Sequence, residues 1–366
     1  MEKPSFNQLY GRQIILNEVG ENGQNLLQKS NVLIIGCGGL GSAVAVYLAA
    51  SGVGNIHLVD FDVVSVSNLH RQVFYTLEDV GKPKVFCLKN YIESISPFVK
   101  VTEDQVAISK YNIAAFVKDA GIIVDCTDNL HIKYLINDVC VLHHKTLVYG
   151  SLHKFDGYVA TFNHAIENGK FTANLRDAFP EIPEKLPPTC AEVGTLNTIV
   201  GIIALHQVNE VLKIILKKGS LLTNKLFIYN SLYHTTQTIQ IQKRFSNDEI
   251  SSFFAAENYI FKTCEVDVEI KMLNTQEFWD KLKQDNVVVL SFSGNLPHKK
   301  YTEKIIQLTY FSFDPFRMPI KPNHEYILIC LKGAMSYDAA LALVEAHPTL
   351  KVYNLENGIE SLDDFS

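Results

Sequence analysis

Several things are missing from this chain of 366 residues, and each absence narrows its class. There is no Cys-x-x-Cys pair. The seven cysteines, Cys37, Cys87, Cys126, Cys140, Cys190, Cys264 and Cys330, are scattered, which predicts reduced cytoplasmic thiols rather than a disulfide framework. There is no basic excess: 33 Lys and Arg stand against 39 Asp and Glu, a net charge of −6. That excludes nucleic-acid binding that rests on phosphate neutralisation. Met1-Glu2-Lys3-Pro4 lacks the charged-then-apolar layout of a signal peptide, so none is expected. The most apolar stretch, 195–216, is interrupted by Asn197, His206, Gln207, Asn209, Glu210 and Lys213. It reads as a buried helix rather than a membrane span. Internal repeats and low-complexity tracts are lacking too. What is left, 47% hydrophobic and 20% charged residues, is the composition of a soluble globular protein long enough for two domains.

What is present is ordered alternation. Residues 31–151 alternate β-rich runs with amphipathic helices, which predicts a doubly wound, mainly parallel α/β sheet. The expected strands are 32–36, 56–60, 100–102, 122–125 and 146–150, with helices near 41–50, 83–94, 109–119 and 130–143. Beyond Phe155 the alternation stops, and 156–163, 225–231 and 236–242 read as antiparallel strands around the helix 195–216. Four prolines between 179 and 188 predict an exposed loop leading to Cys190. Residues 246–268 show no clear period and read as a linker. From 269 a second, smaller α/β pattern begins, with strands 287–292, 326–330 and 351–354 and helices near 275–283 and 336–346.

The densest chemical signal lies between Asn31 and Gln72. An apolar strand runs into Gly36-Cys37-Gly38-Gly39-Leu40-Gly41. In such a turn Gly36 permits the tight bend, Gly38 lets backbone N–H groups approach a phosphate, and Gly41 lets the following helix sit close to the sheet. Gly39 belongs to the same cradle, and the helix N-terminus adds unpaired donors and a positive dipole end. Asp60, ending the next strand, is placed to accept from ribose hydroxyls, and Asp62 is counted with the nucleotide contacts. Asn68, Arg71, Gln72 and Lys84 follow, a set suited to a reacting triphosphate, since cations balance charge on a leaving pyrophosphate. Asp128 closes a segment at a strand's C-terminal edge, where a carboxylate can hold Mg²⁺; Asn129 suits a helix N-cap equally. Cys37 reads as a space-filler.

Together these residues resemble the adenylyltransferases that activate ubiquitin-like sulfur-carrier proteins, the molybdopterin-synthase and thiamine-biosynthesis types (the HesA/MoeB/ThiF family), relatives of ubiquitin-activating enzymes. The resemblance rests on Tyr10-Gly11-Arg12-Gln13, the glycine turn, Asp60-x-Asp62, Ser67-Asn68-Leu69-x-Arg71-Gln72, Lys84, Asp125-Cys126-Thr127-Asp128-Asn129 and Thr189-Cys190-Ala191-Glu192-x-Gly194. It implies an adenylation domain over 1–245, a linker over 246–268, and ATP-dependent adenylylation of a carrier's C-terminal Gly-Gly carboxylate. It gives Asp60 the ribose, Asn68, Arg71, Gln72 and Lys84 the triphosphate, and Asp128 the Mg²⁺. Arg12 resembles an arginine inserted into the partner's active site of a homodimer. Cys190 matches a crossover-loop cysteine that in some members links to the activated carrier or carries sulfur.

The chain departs from that pattern at the family's zinc site. The first cysteine pair would fall near Asn174 and Asp177, and Cys264 stands alone where the second is expected; a closed site needs four ligands, so no structural zinc is expected. His143, His144, His153 and His164 lack metal-like spacing, and Lys133 stands where many relatives have arginine. Residues 269–366 resemble a rhodanese domain, with Cys330 as the candidate persulfide cysteine of a loop whose N–H groups favour the anion, and with a cysteine-desulfurase-type sulfur donor implied. Met335 in place of an arginine, and Ser291-Phe292-Ser293 in place of Asp-Val-Arg, point instead to a degenerate docking or structural domain. Two further readings stay open: adenylation of another peptide or carboxylate, and an NAD-dependent oxidoreductase, against which stand the phosphate-directed cluster and the lack of a hydride-site acid–base pair.

Overall fold

The computed structural model describes residues 4–183, 194–257, 259, 270–292, 303–308, 313, 315, 318–330, 334–347, 349–359 and 361–362. It divides into two compact units, Met1–Tyr259 and Ile260–Ser366.

Unit 1 opens with two helices, α1 (Phe6–Ile14) and α2 (Gly20–Lys29). A doubly wound core follows: β1 (Asn31–Ile35), α3 (Gly39–Ala50), β2 (Asn55–Val59), α4 (Lys84–Ile95), β3 (Lys100–Asp104), α5 (Ile113–Val117), β4 (Ile122–Asp125), α6 (Leu130–Leu142) and β5 (Thr146–His153). Then come β6 (Asp156–Phe162), α7 (Leu175–Ala178), α8 (Asn197–Leu216), β7 (Lys225–Asn230), β8 (Thr235–Gln240) and α9 (Asn247–Ala256). The eight strands form one sheet in the order β3-β2-β1-β4-β5-β6-β7-β8. Pairing is parallel from β3 to β5 and antiparallel from β5 to β8.

The alternation of each strand accounts for the layering. Val32, Ile34, Ile56, Leu58 and Val124 share one cluster with α3, α4 and α8, while Leu33, Ile35, Val59 and Ile123 share another with α5 and α6. Strands covered on both faces must be apolar throughout, which is why β1 reads Asn-Val-Leu-Ile-Ile. By length and composition α8 could cross a membrane, yet Ile199, Val200, Ile203, Ala204, Val208 and Val211 are core residues packed with β6 and α3. It is the central helix of unit 1, as expected.

Two expectations need correction. The helix expected over 109–119 is only Ile113–Val117. A turn capped by Asn112, whose side chain accepts from Ser109 N (2.9 Å) and donates to Ala107 O (2.8 Å), takes its first residues. Part of the expected linker is α9, whose Ser246/Glu249 capping box starts a regular helix. Its place is secured by a buried charge cluster. Arg176 donates from Nε and Nη2 to Asp138 (2.7–3.0 Å) and stacks on Phe253 of α9 (4.6 Å). The same carboxylate accepts from Tyr259 at 2.5 Å. Asn174 and Asp177, the positions expected for a first cysteine pair, serve this region: Asn174 caps α7, and the Asp177 carboxylate accepts from Asn174 N, Arg244 N and Phe245 N.

In unit 2, β9 (Lys271–Leu273), β10 (Val287–Ser291), β11 (Ile305–Gln307), β12 (Glu325–Ile329) and β13 (Lys351–Leu355) make a parallel sheet in the order β11-β10-β12-β13-β9. Helix α10 (Thr275–Leu282) packs on one face and α11 (Ala334–Ala346) on the other.

The charge cluster yields a stability prediction. Asp138→Ala strands the Arg176 guanidinium in the core, and breaking a buried pair this way costs about 3–5 kcal/mol. Denaturant unfolding should show that loss, and Asp138→Ala combined with Arg176→Met should recover part of it. A single variant as stable as the parent would contradict the cluster's role.

Candidate nucleotide site

The parallel strands leave their connections on opposite faces between β1 and β4, so a crevice opens beyond their C-terminal ends. Three segments line it: the glycine turn after β1, Asp60 after β2 and residues 126–129 after β4. At Gly36 φ is +91°, and a Cβ there would stand 2.8 Å from Cys126 O; one at Gly41 would stand 1.7 Å from Gly36 O. No larger side chain fits either position without moving backbone. The turn is also pinned from outside: Gly36 N donates to Val59 O (2.9 Å), Cys37 N to Asp60 Oδ2 (2.6 Å), and Tyr75 Oη to Cys37 O (2.7 Å). Tyr75 was not anticipated, because a lone tyrosine in a loop carries no sequence signal.

The expected polar residues fold over this turn. Asn68 O accepts from both Arg71 N and Gln72 N at 3.0 Å. Gln72 is 4% exposed, its Oε1 has no hydrogen-bond partner among the described residues, and its Nε2 would lie 3.5 Å from a methyl on Gly38. A buried carbonyl without a donor costs free energy, and the donor end of the same amide is the one set against the glycine turn. Arg71 Nη1 donates to Ser67 O (3.2 Å). Asp60 accepts from Cys37 N and Asp62 N. Burial raises its pKa, and Lys84 with those two N–H donors offsets part of the rise. Lys84 is buried and pairs at 2.7 Å with Asp62, so the Asp62 carboxylate faces Lys84.

Behind the crevice Asp125 is fully buried. Oδ1 accepts from Thr127 N and Oγ1, and Oδ2 pairs with Lys133 at 3.1 Å. Lys133 also donates to Gly150 O (2.7 Å); burial opposes its charge, but Asp125 and Tyr149 outweigh burial and raise its pKa. Gln207 of α8 donates to Asp125 O (2.8 Å), bracing the same strand end. The sequence showed Gln207 only as an interruption in an apolar helix. Asp128 is exposed, and Asn129 is the N-cap of α6, accepting from Ile132 N at 3.2 Å. Nucleotide phosphates fit this cradle, given the side-chain-free turn, the helix N-terminus behind it and the Gln72 Nε2 donor set against Gly38. Asp128 is a single exposed carboxylate, the kind of protein ligand that a magnesium ion takes beside waters and phosphate oxygens; among the described residues no cluster of three metal-ligating side chains occurs.

A turn of this shape is common to many nucleotide enzymes, and comparison with known proteins decides between them. The ThiF family profile matches residues 10–250. The chain belongs to the ThiF family. A sulfur carrier protein adenylyltransferase of Thermus thermophilus is 37% identical over 235 residues, covering 64% of this chain and 87% of that protein. Adenylyltransferase and sulfurtransferase MOCS3 of Dictyostelium discoideum is 30% identical across 99% of this chain and 96% of its own. Among solved structures, E. coli MccB with ATP superposes with a TM-score of 0.57 at 24% identity over 65% of this chain and 73% of that one, so the fold is shared. The expected nucleotidyltransferase class stands, and the oxidoreductase reading is set aside.

The other expected ThiF site residues are not gathered here. Arg12 is exposed in the last turn of α1, and among the described residues no hydrogen bond or ion pair joins it to the crevice. Cys190 and Cys264 lie outside the described residues. Of the histidines, His144 stacks on Phe171 at 5.1 Å and His164 Nδ1 pairs with Thr146 Oγ1 at 3.2 Å. In unit 2 Cys330 is buried directly after β12, and its Sγ accepts from Ser336 N (3.3 Å) and Oγ (3.2 Å).

The crevice thiols offer a test. Burial, then Asp60 and Cys126, push Cys37 well above an ordinary thiol; burial and Asp125 push Cys126 up likewise. Iodoacetamide at pH 8 should label neither in the folded protein and both in denaturant, read by mass spectrometry. Labelling of native Cys37 at a free-thiol rate would rule out this packing.

Proposed function

We propose that this nucleotidyltransferase joins the C-terminal Gly-Gly carboxylate of a small ubiquitin-like sulfur-carrier protein to AMP. A carboxylate oxygen attacks the α-phosphorus of ATP, the bond to the β-phosphate oxygen breaks, and acyl-adenylate and pyrophosphate form. The observation that carries the reading is the side-chain-free glycine turn with the Nε2 donor of buried Gln72 set against it, Arg71 on the same loop and Lys84 paired beside Asp60. Asp60 takes the ribose, the backbone of Gly36, Gly38, Gly39 and Gly41 cradles phosphate, and Asn68 and Gln72 orient the triphosphate. Arg71 and Lys84 balance the charge that develops on the leaving pyrophosphate. Asp128 would hold Mg²⁺, which supplies further neutralisation of the phosphates.

A homodimer completes the proposed site. Tyr10 is buried, and Gln13 Nε2 donates to Gln24 Oε1 (2.7 Å) and Ser51 O (2.9 Å). These anchors leave Arg12 facing outward beside Ile15 and Leu16, which are 72% and 55% exposed. An outward cation among apolar side chains suits insertion into a second copy. Cys190 is the candidate acceptor for a following acyl or sulfur transfer. At Cys330 a second reading has an observation of its own: its sulfur sits beyond a parallel strand and accepts from both Ser336 N and Ser336 Oγ. There, thiosulfate would give up its outer sulfur to the thiolate, leaving a persulfide and sulfite.

ATP–pyrophosphate exchange with Mg²⁺ and Gly-Gly-ending carriers, tested singly, examines the main reading; exchange dependent on one carrier is the expected result. Asp128→Ala should abolish exchange with the fold intact, and retained activity would remove Asp128 from the site. Arg12→Ala mixed with Asp128→Ala should recover about a quarter of wild-type exchange, since half the dimers are mixed and each has one intact site. No recovery would remove the role in trans. For Cys330, persulfide formed from thiosulfate and lost in Cys330→Ser is expected; its absence leaves unit 2 without sulfur chemistry.

A further inference from the structure

Asp62 sits two residues past the ribose acid, but its surroundings give it a different task. Residues 62–64 and 81–84 run antiparallel: Lys84 N donates to Asp62 O (3.0 Å), Val64 N to Lys82 O (2.9 Å) and Gly81 N to Val64 O (2.9 Å), and Val63 pairs with Pro83. That register sets the two side chains against each other, and Lys84 Nζ donates to Asp62 Oδ2 at 2.7 Å. The exposures are unequal, 4% for the Lys84 side chain and 48% for that of Asp62. The buried ammonium is therefore held from its solvent side by a carboxylate whose own backbone belongs to the same ladder. Lysine is a compact charge on a flexible stem, which settles in one direction only when a partner holds it. Asp60 is already engaged with Cys37 N and Asp62 N.

We infer that Asp62 is a positioning residue: its carboxylate holds the Lys84 ammonium at the crevice, and it acts on the triphosphate through Lys84 rather than by touching it. The inference rests on the assignment of Lys84 to the triphosphate in the proposed function. It assigns the two acids of the Asp-x-Asp pair separate tasks, Asp60 to the ribose and Asp62 to the lysine.

A double-mutant cycle on ATP binding separates the possibilities. Full-length wild type, Asp62→Asn, Lys84→Ala, the double variant and Asp62→Glu are titrated calorimetrically with ATP and Mg²⁺, and with adenosine. Lys84→Ala should weaken ATP about tenfold, as expected for one charge-assisted contact. Asp62→Asn should account for most of that loss, and the double variant should bind no more weakly than Lys84→Ala alone. Asp62→Glu should regain most of the affinity, while adenosine binding stays within about twofold throughout, a ratio that a merely structural defect would not preserve. Losses that multiply in the double variant would mean that Asp62 meets the nucleotide or its metal directly, and would overturn the inference. So would an Asp62→Asn protein that binds ATP normally. An unchanged Lys84→Ala protein would instead bring down the triphosphate assignment itself, and the inference with it.

Discussion

The arrangement of this protein depends on the point where the parallel sheet changes direction. Strand β1 pairs with β2 on one side and β4 on the other, so chain segments leave its end and that of β4 toward opposite faces. The backbones converge there more closely than side chains allow. Gly36 and Cys126 are near enough that a single methyl would collide, and the apolar clusters on both faces hold the strands in that register. Everything assigned to the nucleotide hangs from this convergence: the turn that exposes N–H groups, the helix that begins behind it, the acid after β2 and the loop after β4.

The second theme is how unit 1 keeps charges indoors. Asp125 is matched with Lys133, Lys84 with Asp62, and Asp138 with Arg176; Asp60 is matched with backbone donors. Water screens the buried members of these pairs poorly, so each needs a partner in good geometry. The Lys133 position illustrates the freedom that remains. Lys133 reaches both Asp125 and Gly150 O, keeping the strand end neutralised with a single ammonium. At the far end of α6 the same logic serves architecture instead of chemistry, as Arg176, Asp138 and Tyr259 close the unit over α9.

Unit 2 repeats the strand-edge principle on a smaller scale. Its five strands are all parallel, Cys330 follows the central β12, and the first turn of the next helix supplies both donors to its sulfur. The two units thus each place their candidate site residues beyond the C-terminal ends of parallel strands, where backbone N–H groups are left without partners.

Much of this was legible in the residues themselves. The alternation of apolar runs and amphipathic segments determined the order of strands and helices in the core, because strands buried on both faces admit few polar residues. The glycines, Asp60 and the Asn68–Gln72 segment announced a nucleotide because such turns have a fixed local geometry. Helix α9 escaped notice, since it is short and its support comes from Arg176 and Asp138, distant in the chain. Tyr75 and Gln207 carried no local signal for the same reason. Only the tertiary structure decided that Asp62 faces Lys84 and that the Gln72 amide nitrogen lies against Gly38. Those facts follow from contacts between segments distant in the chain, and such contacts are a property of packed chains, which local propensity does not contain.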